Sequence, residues 1–256
     1  MIPIKDNIPT ERFPFVTLGL IVANFVTYFL AVAQGGSIIS GPDLHEIVKY
    51  GAIPYTLTHA GTHCALLQVP QAIGLGCGPG HAAGTIATWE TVFTSMFMHA
   101  SILHILGNML FLWIFGNNVE DAMGPVRFLC FYILGGVAAL ALQVVIAPNS
   151  TAPTVGASGA IAAVLGGYVL LYPRPRVFTL LILIFFVTVI ELPTFVMLAV
   201  WFIEQAVFGL ADLTNPSGSG GGVAYFAHVG GFGFGLLTVK LLARRRKPVP
   251  PPHPVY

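Results

Sequence analysis

The chain has 256 residues, of which 55% are hydrophobic and only 8% charged, with a formal net charge of +1. That balance excludes a water-soluble domain, because so few polar side chains cannot cover so much apolar surface. No basic face with interleaved aromatics is present, which excludes a nucleic-acid partner. Several apolar runs instead approach the length of about 20 residues that crosses a bilayer, and they predict a polytopic helical membrane protein with no second domain.

Residues 1–12 are polar and carry Lys5, Asp6, Glu11 and Arg12, and Phe13–Ala33 then reads as a first span. Ala31-Val32-Ala33 ahead of Gln34 imitates a signal-peptidase site. The run is longer than a usual signal core and acidic residues precede it, which favours a retained helix. Residues 35–90 read as a long first loop holding His63-Cys64 and Cys77-x-x-x-His81. Three readings stand for it. One is a zinc site of two cysteines and two histidines, although the spacing departs from the usual pattern. The second is a Cys64–Cys77 disulfide if the loop lies outside the cytosol. The third is a pair of free thiols. Cys130, inside a later span, reads as a small core residue.

The second span is expected at about Thr94–Phe115 and contains His99, Ser101, His104 and Asn108. On one helix Ser101, His104 and Asn108 are spaced i, i+3, i+7 and share a face. Polar side chains inside a span face the protein interior or a water-filled hollow and are functional candidates; the plainer reading is interhelical hydrogen bonding. His99 falls off that stripe and reads as structural, near the mouth of the helix. Metal binding has no support there, because no carboxylate completes an H-E-x-x-H pattern.

Asn117–Pro125 is expected as a short turn containing Glu120, and Val126–Ile146 as the third span. A polar, proline-containing linker then leads to Gly156-Ala157-Ser158-Gly159, which opens the apolar run to Tyr172. Ser158 stands at a helix N-terminus, where backbone N–H groups are free and the dipole favours negative charge. It can serve as a helix cap or as a nucleophile. The helix Ala157–Tyr172 would be only about 24 Å long, short of a hydrocarbon core of about 30 Å, so Ser158 is expected below the membrane surface. Val177–Ile190 is too short for a comfortable span and reads as an interfacial or re-entrant segment. Thr194–Leu210, apolar except for Glu204-Gln205, and Val223–Ala243, containing His228, complete six spans. The tail 244–256 is basic and then proline-rich.

All eleven lysines and arginines except Lys49 lie at the two termini or in the turns around 117–127 and 173–176. The positive-inside rule therefore places segment 1–12 and tail 244–256 in the cytoplasm, with the membrane domain 13–243 between them. The second, fourth and sixth helices then run inward from the outer face. His104, Asn108, Ser158 and His228 meet in one layer of the outer half of the bilayer. A histidine that takes the serine proton makes the hydroxyl nucleophilic, and no carboxylate lies at an orienting position, so a Ser158–His228 dyad is expected. His104, Asn108 and the Ser158 N–H suit an oxyanion.

His99-x-Ser-x-x-His104-x-x-x-Asn108, Gly156-x-Ser158-Gly and Ala227-His228-x-x-Gly231, in this order, resemble the rhomboid family of intramembrane serine proteases, as does the bacterial-type opening Met-Ile-Pro-Ile-Lys-Asp. The resemblance implies an all-α, six-helix bundle in the inner (cell) membrane with a long extracytoplasmic first loop. It implies cleavage of transmembrane protein substrates in the lipid bilayer, without metal, nucleotide or other cofactor. Ser158 matches the nucleophile, His228 the base, and His104 and Asn108 the oxyanion donors. His99, Glu120, Gly156, Gly159 and Gly231 are matched to structural support, and the 194–210 helix to a mobile gate.

One departure stands out. The family's aromatic one turn after the serine, stacked on the histidine, is Ala162 here, which leaves either another aromatic, such as Tyr168 or Phe232, to orient His228, or a base that is less constrained. Two other functions stay open. One is a catalytically silent rhomboid-like factor that binds membrane proteins. The other is a small transporter using the polar layer, against which speaks the absence of paired broken helices.

Overall fold

In the computed structural model, residues 2–69, 72–80, 86–183, 186–214 and 224–244 are described. The chain opens with strand β1 (Ile2–Asp6) and the long helix α1 (Phe15–Gln34). The short strands β2 (Gly36–Ser37) and β3 (Gly41–Pro42), the helices α2 (Leu44–Tyr50) and α3 (Pro54–Thr58), and an antiparallel hairpin of β4 (Thr62–Val69) and β5 (Ala72–Pro79) fill the first loop. Cys64 faces Cys77 across this hairpin and the two form a disulfide. His81, the outermost member of the four-ligand zinc reading, lies outside the described residues.

After α4 (Thr88–Thr94) the chain leaves helical geometry, and α5 (Ile102–Phe111) begins only beyond Ser101. The helix then passes through a π-helical turn (Leu112–Gly116) into α6 (Asn117–Met123), giving one apolar rod from Ile102 to Met123. The expected second span is therefore displaced toward the C-terminus, and most of the expected 117–125 turn is helical. The cause is local. The Ser101 hydroxyl accepts the His104 N–H at 3.2 Å, and that N-cap sets the helix start.

Next come α7 (Pro125–Ile146), α8 (Ser158–Leu171), α9 (Thr194–Thr214) and α10 (Tyr225–Leu242). Among the described residues five helices are long and apolar enough to cross a membrane, and α8 is a sixth, shorter apolar helix. It packs against both α7 and α10. Gly159 to Tyr168 are all buried, as expected of a helix apolar on every side. On α7 the buried face runs through Phe131, Tyr132, Gly135 and Gly136. Cys130 lies off it and is exposed, contrary to the core position expected for it.

Between α8 and α9 the run read as an interfacial or re-entrant segment is not helical. It folds as the antiparallel strands β6 (Arg176–Leu183) and β7 (Phe186–Pro193), with β1 on the free edge of β6. Val, Ile, Thr and Phe dominate it, side chains that fit a pleated strand, and Val177 and Thr179 are buried in the alternation a strand requires. Short apolar runs carry no periodicity that separates strand from helix, so the length of this run alone does not disclose the strands.

The end of α8 away from Ser158 is fixed by buried polar contacts. Asp6 of β1 accepts from Tyr168 Oη at 2.5 Å and from Asn118 Nδ2 at 2.7 Å. Glu120 accepts Val16 N at 3.0 Å and both Thr17 N and Thr17 Oγ1 at 2.7 Å. Helix α1 starts at Pro14 with no side-chain cap of its own. A carboxylate from α6 thus satisfies its first free N–H groups and opposes its dipole. Replacing Glu120 by Ala leaves two buried N–H groups unpaired. We expect Glu120→Ala to lower stability by about 3 kcal/mol, read as a reduced unfolding midpoint in detergent, and an unchanged midpoint would refute the capping role.

Candidate active site

Ser158 is the first residue of α8, with Ala157 at the N-cap and no side-chain cap bond. The hydroxyl is therefore not used to start the helix. It lies 2.7 Å from Nε2 of His228, which sits in the first turn of α10. The N-terminus of α10 is itself located by α7, because Gln143 Oε1 accepts Ala227 N at 3.2 Å. Two helix beginnings thus carry the serine and the histidine toward each other.

Glycine permits the approach. A Cβ on Gly231 would run into the Gly159 carbonyl oxygen and come within 3.2 Å of the Ala162 methyl. Gly156 precedes α8 at φ +121°, in the region that disfavours side chains, and a Cβ there would lie 2.8 Å from His104 Nε2 and 3.5 Å from Asn108 Nδ2. The backbone entering α8 therefore passes directly under those two side chains.

Ser158, His228, His104 and Asn108 line one cavity of about 520 Å³. His99 is fully buried behind it. Its Nε2 is 2.9 Å from Asn108 Nδ2 and 3.4 Å from Ala157 N, and its Nδ1 is 3.2 Å from the Phe97 carbonyl oxygen. These contacts are mutually satisfied when Nδ1 carries the hydrogen and Nε2 accepts. Asn108 then gives one N–H to His99 and keeps the second for the cavity. Ser101, expected on the same helical face, is instead the cap of α5.

The contacts of His228 differ from expectation. Tyr168 is hydrogen-bonded to Asp6 and packs on Phe115 and Tyr172. Phe232 packs on Trp201 and Phe202. The ring beside His228 is Trp201 of α9, at 5.8 Å between centroids and 37° between planes. One turn further along α9, Gln205 Oε1 lies 2.7 Å from His228 Nδ1. Gln205 is buried, whereas its neighbour Glu204 is exposed. The signal was present in the sequence, since Trp201 and Gln205 are spaced i, i+4 and a glutamine inside an apolar span is costly without a partner.

Short, small-residue contacts between apolar helices, with a half-buried serine–histidine pair at their mouth, define a class: multi-pass membrane proteins with a polar cavity among their helices. Residues 87–245 match the rhomboid domain, and the chain belongs to the rhomboid family. It is 30% identical to the rhomboid protease GluP of Bacillus subtilis over 162 residues, covering 63% of this chain and 24% of that protein. It is 29% identical to the human mitochondrial presenilin-associated rhomboid-like protein over 164 residues, covering 60% and 39%. Over 159 residues it is 30% identical to the chloroplastic rhomboid-like protein 11 of Arabidopsis thaliana, covering 61% and 53%. The aligned part of the chain spans about a quarter of GluP.

The helix contact yields a paired prediction. Gly231→Ala drives a methyl group into the α8 backbone, while a Cβ on Gly233 meets nothing within 4 Å. Gly231→Ala should cut covalent labelling of Ser158 by a fluorophosphonate about tenfold or more, because small displacements of reacting groups are costly. Gly233→Ala should label like the parent. Equal labelling of the two variants would remove the role given to this contact.

Proposed function

We propose that this chain is an intramembrane serine endopeptidase that cleaves membrane-spanning substrates with the Ser158–His228 dyad. The observation that carries this reading is the 2.7 Å approach of His228 Nε2 to the Ser158 hydroxyl inside a cavity within the apolar bundle. The Ser158 hydroxyl caps no helix, as a merely structural serine at a helix start would.

The chemistry follows from the positions. His228 Nε2 takes the Ser158 proton as Oγ attacks the scissile carbonyl carbon. Negative charge moves to the carbonyl oxygen, where the Ser158 N–H at the helix start, Asn108 Nδ2 and the His104 ring donate hydrogen bonds. The protonated His228 then gives its proton to the leaving amine nitrogen, leaving an acyl group on Oγ. Water, deprotonated by His228, attacks that acyl carbon, and Ser158 regains its proton. His99 supports Asn108, and Gly156, Gly159 and Gly231 admit the close approach of backbones and rings. No metal, nucleotide or other cofactor enters these steps.

In the same reading α8 is a sixth span, both termini are cytoplasmic, and the chamber opens outside the cytoplasmic face of the cell membrane. Three features support this orientation: the arginine and lysine distribution, the Cys64–Cys77 disulfide in the first loop, and the β6–β7 hairpin following the Arg174 turn. The second reading, a silent membrane-protein-binding factor, has less support because the serine and histidine are both present and in contact.

The test uses purified protein in detergent with a tagged single-span membrane substrate. Ser158→Ala and His228→Ala should each abolish cleavage without lowering the unfolding midpoint. Asn108→Ala and His104→Ala should retain residual activity, each losing on the order of 3 kcal/mol of transition-state stabilisation, about 100-fold in rate. Cleavage by Ser158→Ala at the parental rate would overturn the proposal, and binding of the substrate without turnover by the parent would favour the second reading.

A further inference from the structure

The contact between Gln205 and His228 comes from α9, a helix that contributes neither member of the dyad. Gln205 Oε1 is a pure acceptor, so a bond of 2.7 Å to His228 Nδ1 requires the hydrogen to be on Nδ1. The other ring nitrogen, Nε2, then presents its lone pair to Ser158 Oγ at 2.7 Å. That is the tautomer a general base needs; the opposite one would set the Nδ1 lone pair against the lone pairs of Gln205 Oε1 and leave no acceptor for the serine proton. Trp201 lies beside the same imidazole from one turn earlier on α9. Ring plane and tautomer are thus both referred to one helix.

We propose that Gln205 is the positioning residue for His228, supplying from α9 the orienting acceptor that a triad takes from a carboxylate. This inference rests on the dyad reading above. It has a consequence for control. Base competence requires α9 to be docked on α10, where Phe202 packs on Phe232 and Phe208 on Tyr225. Outward movement of α9 would remove Gln205 and Trp201 from His228 together and leave the imidazole free to change tautomer. Catalysis therefore needs α9 back in place once substrate occupies the cavity. A neutral amide suits this site, since a buried carboxylate would carry a desolvation cost whenever the helix moved away from its partner.

The experiment compares the full-length parent, Gln205→Leu, Gln205→Glu and Glu204→Gln in detergent. Leucine keeps the approximate size of the side chain without an acceptor, glutamate restores an acceptor, and Glu204 is the exposed neighbour. Cleavage of a single-span substrate, fluorophosphonate labelling and ¹⁵N shifts of the histidine rings are measured on each. Gln205→Leu should lower kcat on the order of 10- to 100-fold with KM little changed, less than the roughly 10⁴-fold seen when a triad's orienting carboxylate is replaced. It should slow labelling by a similar factor. Gln205→Glu should recover most of the labelling rate, and Glu204→Gln should behave as the parent.

The ring ¹⁵N shifts should report Nδ1–H for His228 in the parent and a tautomer mixture in Gln205→Leu. Equal loss in Gln205→Leu and Gln205→Glu, or a His228 tautomer unchanged by Gln205→Leu, would overturn the proposal even if the protease reading stands. A parent that neither cleaves nor labels, yet changes tautomer with Gln205→Leu, would instead defeat the protease reading and retain the positioning contact.

Discussion

Ser158 and His228 can meet only because α8 and α10 touch backbone to backbone. In an apolar bundle surrounded by lipid the hydrophobic effect gives little preference for one helix pairing over another, and close packing of small residues decides which surfaces join. Gly159 and Gly231 provide that surface one turn or less from the reacting side chains. The rest of the architecture can be understood as holding this contact in register. Helix α7 flanks both partners, and its Gln143 fixes the start of α10. The Asp6–Tyr168–Asn118 cluster pins the opposite end of α8.

The shortness of α8 turns packing into chemistry. Fourteen residues make about 21 Å of helix, and its N-cap, Ala157, is buried among its neighbours. Free N–H groups at a buried helix start need partners, and few are available in an apolar setting. They constitute a ready site for developing negative charge, next to a hydroxyl already bonded to a base. Stability is concentrated at the other end, where carboxylates satisfy backbone groups. The serine–histidine contact and the anchoring contacts thus occupy opposite ends of one buried helix.

Much of this was legible in the sequence. The polar residues at 104, 108, 158 and 228, which line one cavity, were recognisable because charge asymmetry predicted a direction for each helix and the apolar runs a depth. The bounds of α1, α7, α8 and α10 followed from hydropathy to within about two residues. What hydropathy could not supply was anything decided by a single hydrogen bond. The start of α5 depends on the Ser101 hydroxyl, and the strands at 176–193 depend on pairing partners, one of them at the chain's first residues. The orientation of His228 was the largest gap. Aromatic stacking suggested Tyr168 or Phe232, whereas the residues beside it are Trp201 and Gln205 on a different helix, a juxtaposition no spacing rule within α8 or α10 contains.

Whether His228 activates Ser158 can be read by labelling chemistry without knowledge of a natural substrate. Parent protein and His228→Ala would be treated with a fluorophosphonate in detergent, digested, and mapped by mass spectrometry. One adduct is expected, on Ser158 in the parent, and it should be lost in His228→Ala although that variant remains folded. An adduct on Ser158 formed equally fast without the His228 imidazole, or an adduct on another serine, would contradict that activation.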